Sequence, residues 1–80
     1  MIQLGTRWLC GDEPPSNLPQ SVVDVVLDVE AQLAEEGVKT EDWYWTLTWL
    51  EGKPVVELDD GTRIEYDAGT DEATVVPYVD

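Results

Sequence analysis

The spacing of apolar positions changes character along the chain, and each change marks an element. In the opening stretch Ile2, Leu4 and Trp8 alternate with Gln3, Gly5 and Arg7. That two-residue period predicts a strand over Ile2–Cys10. Gly11-Asp12-Glu13-Pro14-Pro15-Ser16 follows as a loop, because its prolines fix φ and remove donors. The period then lengthens to that of a helix. Asn17 as N-cap puts Gln20 at N3, a capping box, with Pro19 in the first turn. The helix runs to about Glu36. Gly37 suits the left-handed C′ position, and Val38 then falls at C″, set to touch Leu33.

Beyond the helix the alternation returns. Trp43, Trp45, Leu47 and Trp49 share one face of a strand over Trp43–Leu50; Tyr44, Thr46, Thr48 and Leu50 share the other. A two-residue turn at Glu51-Gly52 pairs Leu47 with Val56, Trp45 with Leu58 and Thr46 with Glu57, so the apolar faces match. A slip of one residue would set Leu47 against Glu57. Asp59-Asp60-Gly61 reads as a three-residue hairpin loop with Gly61 in the bulge position. That register pairs Val56 with Ile64 and Glu57 with Arg63. Thr62–Tyr66 is the next strand, Asp67–Glu72 an acidic turn, and Thr74–Val79 a last strand that Pro77 marks as an edge.

The order β-α-β-β-β-β predicts an α+β domain of two layers. One helix packs on the Trp face of a mostly antiparallel sheet of four to five strands, the whole chain from 1 to 80 forming a single small domain. The pattern does not choose an edge for the first strand. On the helix, Val22, Val25, Val26, Val29 and Leu33 span the arc that covers a sheet. Val23, Leu27 and Ala34 form a second apolar ridge. Either loop residues such as Leu18 or Val38 cover it, or it is a protein contact. Asp24, Asp28 and Glu35 line the far side.

Composition changes this picture in two ways. The chain of 80 residues carries 18 Asp and Glu against 4 Lys and Arg, a net charge of −14, and no His. That balance argues against direct binding of nucleic acid or of an anionic membrane, and permits a basic partner, cations, or adaptation to salt. Yet 42% of the residues are apolar, with four Trp and three Tyr, which argues against disorder. No apolar run is long enough to span a bilayer, and the opening residues lack the regions of a signal peptide. Cys10 is the sole cysteine, so an internal disulfide is excluded and a reducing, cytoplasmic setting is expected.

Candidate chemistry is sparse. Without His there is no imidazole base. Two Ser and one Cys without a base partner make a poor nucleophilic site, and one thiol makes no structural zinc site. No catalytic residue, cofactor or metal site is therefore expected. Glu30 projects between the two ridges of the helix, where Arg7 or Arg63 would be its ordinary partner; a functional carboxylate is the sharper alternative. The Trp residues read as core aromatics before they read as a cation cage. Asp59, Asp60, Asp67, Asp71 and Glu72 crowd the hairpin loops without a calcium-loop pattern.

Two surfaces remain as partner-binding candidates. One is the uncharged face of Tyr44, Thr46 and Thr48. The other is the helix, through Val23 and Leu27 or through Asp24 and Asp28. The expected role is a small, non-enzymatic protein-interaction domain, a monomer or a weak homodimer through the helix. One alternative is a nucleic-acid mimic that inhibits a basic nucleic-acid-binding protein; another is a weak cation-binding domain. Duplex DNA carries about one charge per 110 Å² of its surface, against roughly one per 350 Å² here. Mimicry therefore requires the acids to gather on one side. A salt-adapted host would give the same charge with no bearing on function, and such a chain should lose structure in dilute buffer.

Overall fold

The computed structural model describes residues 6–76. The elements are β1 (Thr6–Leu9), α1 (Gln20–Glu35), β2 (Tyr44–Leu50), β3 (Lys53–Leu58), β4 (Arg63–Asp67) and β5 (Glu72–Val76). The strand positions expected at Ile2–Gly5, and Pro77–Val79 of the last strand, lie outside the described residues. One antiparallel sheet holds all five strands in chain order, with α1 inserted between β1 and β2 and packed on one face. This is the two-layer α+β fold expected from the pattern, and it puts β1 at the edge beside β2.

The helix begins two residues later than its capping box suggested. Pro19 is the N-cap, with no side-chain bond, and its carbonyl accepts from the Val22 and Val23 amides. The cause lies in Pro19 itself. A helix capped by Asn17 needs Leu18 in helical geometry, and the proline ring disfavours that for the residue before it. Leu18 instead turns inward and is buried. Gln20 bonds Asp24 one turn on rather than reaching back. The other end is as expected: Gly37 adopts φ 77°, its amide bonds the Ala34 carbonyl, and the Val38 amide bonds that of Leu33.

Both hairpin registers hold. Leu47 faces Val56, Trp45 faces Leu58, Val56 faces Ile64 and Glu57 faces Arg63. The ion pair of Arg63, however, runs along its own strand to Glu65, Nε to carboxylate 3.1 Å. At the first turn Glu51 and Gly52 have φ 53° and 80°, the two left-handed positions of a type I′ turn. Glu51 bears the strain of a side chain there, about 1 kcal/mol. Glu51→Asn should raise stability by roughly 0.5–1 kcal/mol, read as a higher urea midpoint; a lowered midpoint would show that Glu51 makes a compensating contact.

The core sits between α1 and the sheet. It comprises Trp8, Leu18, Val22, Val26, Trp45, Leu47, Val56, Leu58 and Ile64. The helix lies nearest β4 and β5, where the small Ala73 faces it. Over β1 and β2 the gap is wider, and indoles fill it: Trp8 and Trp45 stack with centroids 6.3 Å apart and planes at 20°. Trp43 is half-buried at the rim. Trp49 departs from the expectation of a core aromatic and is 41% exposed. It sits close to the turn, opposite the buried Pro54, while α1 lies over the far strands.

Candidate interaction surfaces

The sheet's second face has no layer over it among the described residues. Register assigns its members. Arg7 and Leu9 of β1 pair with Thr46 and Tyr44. Thr48 pairs with Val55, Leu50 with Lys53 and Thr46 with Glu57. Val55 and Glu57 continue to Glu65 and Arg63 of β4, which meet Thr74 and Val76 of β5. Tyr44, Thr46 and Thr48 therefore lie together in the second strand from one edge, as the alternation predicted.

This face is unlike the rest of the molecule in charge. Arg7, Lys53 and Arg63, three of the four basic residues of the chain, are on it. They stand against Glu57 and Glu65, with Asp67 and Glu72 at its far margin. The charges are also partly answered within the face. Arg63 pairs with Glu65, and the Arg7 guanidinium lies 4.6 Å from the centre of the Tyr44 ring. Leu50 is 62% exposed and Tyr44 is 36% exposed. Leu50, Glu51, Lys53, Pro54, Val55, Glu65 and Tyr66 line a shallow depression of about 270 Å³ at its turn end.

The helix candidates are on the opposite layer and do not join that surface. Val23 packs against the core, while Leu27 is 49% exposed and Ala34 is exposed. The second ridge is thus neither covered as a whole nor open as a whole. Asp24, Asp28 and Glu35 are exposed along the outer side.

The acidic loops turn out to be structural at several points. Asp59 accepts the Tyr44 amide at 2.9 Å, Asp60 the Thr62 amide at 2.9 Å and Asp67 the Gly69 amide at 2.9 Å. Asp71 accepts the Tyr66 hydroxyl at 2.6 Å and the Ser21 hydroxyl at 3.5 Å, which ties the β4–β5 turn to the start of α1. That bond to Asp71 raises the Tyr66 hydroxyl above its ordinary pKa. Among the described residues no three His, Cys, Asp or Glu side chains are grouped to hold a metal ion.

Glu30 meets neither arginine. One carboxylate oxygen accepts the Trp45 indole N–H at 2.8 Å and the Gly11 amide at 2.9 Å. Sequence reasoning looked for a cation and missed this pairing. The available signal was the buried indole, a donor that needs an acceptor, and a carboxylate was present on the inner flank of the helix. Beside this group, burial pushes the Cys10 thiol up, and the nearby Glu30 charge adds to the rise. An activated nucleophile needs the reverse.

Among the described residues no helix is long and apolar enough to cross a membrane. Comparison with known proteins gives no match to a family model, a curated protein or a solved structure.

Proposed function

We propose that this chain is a non-catalytic protein-interaction domain that binds a partner protein through the open face of its sheet, in the cytoplasm. The observation that carries the reading is the charge balance of that face. A standard interface removes about 800 Å² per partner from water, and its centre is depleted of charged groups because desolvating an unpaired charge costs several kcal/mol. On a chain of net charge −14, the face of Tyr44, Thr46, Thr48, Leu50 and Val55 is where a partner can dock with the least uncompensated charge. The single cysteine, with no second thiol in the sequence to pair with, supports the reducing compartment.

The test is calorimetric titration of the partner with variants of each face. Tyr44→Ala and Thr48→Arg should each weaken binding by about tenfold or more, with the circular dichroism spectrum unchanged. The pair Asp24→Lys and Asp28→Lys should leave it within about twofold. The opposite ranking sinks the proposal.

A second reading, the nucleic-acid mimic, is favoured by one observation: carboxylates run the whole length of the helix layer. Asp71 is fastened at the start of α1, Asp24, Asp28 and Glu35 follow its outer side, and Glu36 lies at its end, where Thr62 next to Asp60 also comes. Over the roughly 24 Å of a sixteen-residue helix, B-DNA carries about 14 phosphates. The named acids, with Asp59, supply about half that density. The sheet face is therefore the better candidate. The cation-binding alternative is weaker again, since Asp59, Asp60, Asp67 and Asp71 already serve as acceptors within their turns.

A further inference from the structure

A separate feature lies on the far side of the molecule from Tyr44. Between the C-terminal half of α1 and β5 runs a groove of about 290 Å³ lined by Val29, Gln32, Leu33, Glu36, Thr62 and Val75. Val75 is 40% exposed there. The groove lies against an edge strand, since β5 pairs with β4 alone among the described residues.

We infer that β5 and this groove take an extended segment of a partner protein in which aliphatic and basic residues alternate, added to the sheet as a further strand. Three observations select that occupant. First, edge strands are usually protected by lysine, proline or a bulge; the proline of this edge, Pro77, comes only after Val76, and Glu72–Val76 itself contains neither Lys nor Pro and pairs regularly with β4. Main-chain bonding is thus open to a strand of suitable sequence. Second, alternation along β5 puts Ala73 and Val75 on the groove side and Glu72 and Thr74 on the other. An added strand would meet aliphatic surface with every second side chain and Glu72 with those between.

Third, the surroundings are anionic. Neither α1 nor β5 carries a Lys or Arg. Glu36 forms part of the groove wall, on the side that takes the aliphatic residues; the basic residues between them come to the Glu72 side, where Arg63, opposite the other end of β5, is already paired with Glu65. Glu72 sits directly opposite Asp67, a like-charge pair that a cation from outside would relieve. The same charges repel a second copy of this chain, which would bring its own Glu72 to the edge, so they discriminate against self-pairing while admitting a basic strand.

Chemical shifts of the ¹⁵N-labelled full chain, titrated with blocked heptapeptides, test the inference. The probes are alternating Lys-Val, alternating Glu-Val and all-Lys. The Lys-Val peptide should bind at least tenfold tighter than all-Lys, Glu-Val should not bind, and the shifts should gather on β5, Val29 and Leu33. Val75→Asp should reduce Lys-Val to the all-Lys level, and Glu72→Lys should weaken both. Should the valine variant unfold, the peptide ranking on the unmodified chain and the Glu72 variant still decide. Equal binding of all-Lys, shifts centred on Tyr44–Thr48, or a homodimer abolished by Glu72→Lys would each overturn it. The two readings share only Glu72, at the far margin of the Tyr44 face, and Tyr44→Ala, which leaves the groove residues untouched, keeps the failure of one distinct from the failure of the other.

Discussion

Trp45→Phe should cost about 3 kcal/mol, while the same change at its stacked neighbour Trp8 should be close to neutral. Both indoles are buried, and each loses roughly 1 kcal/mol to the smaller ring and the cavity it leaves. They differ in the indole N–H. That of Trp45 bonds the Glu30 carboxylate, and a charge-assisted bond of this kind contributes about 1.5–3 kcal/mol. The N–H of Trp8 is buried with no partner among the described residues. Removing it removes a desolvation penalty of about 1–3 kcal/mol, which offsets the cavity. Urea unfolding followed by circular dichroism separates the two. Equal losses would show that the Glu30 bond contributes nothing net.

The second large effect belongs to Glu30. Replacing it by Ala leaves the buried Trp45 N–H without an acceptor and gives up the bond to the exposed Gly11 amide, and should cost about 3 kcal/mol. A domain of this length has about 4–12 kcal/mol in total, so the variant should be visibly destabilised at room temperature. Glu30→Gln keeps an oxygen in place and should cost only about 1 kcal/mol. Because Glu30 and Trp45 share one bond, the double variant Trp45→Phe with Glu30→Ala should lose less than the sum of the two single changes. Strict additivity would mean the two groups act independently, and the seam between α1 and β2 would need another explanation.

What the sequence revealed follows from where its signals are local. The hairpins at Glu51-Gly52 and Asp59-Asp60-Gly61 were legible because turn residues, apolar alternation and the Glu57–Arg63 pairing all selected the same register. The helix end at Gly37 was legible because one backbone conformation there calls for glycine. The helix start was misread because a good cap at Asn17 competes with the steric demand of Pro19, and the steric demand prevails. The edge taken by β1 was not legible, since alternation marks a strand and not its neighbour.

The candidate surfaces divide in the same way. Tyr44, Thr46 and Thr48 fell on one face by alternation alone. That Arg7, Lys53 and Arg63 come to the same face depends on three strand registers together, and no stretch of the chain shows it. The groove beside Val75 needs both the edge position of β5 and the lateral placement of α1 over it. Neither is written in the spacing of either element.

Affinity capture from host lysate, eluted by a salt ramp with and without excess duplex DNA, tests the central claim most directly. Charge-driven contacts between exposed groups are screened as the Debye length falls from about 10 Å at 0.1 M to about 3 Å at 1 M salt. Docking through the charge-balanced sheet face predicts a partner that stays bound through the ramp, ignores the DNA and is lost with Tyr44→Ala. A partner released at moderate salt, displaced by DNA and indifferent to Tyr44 would contradict the account and give the acidic helix layer the leading role.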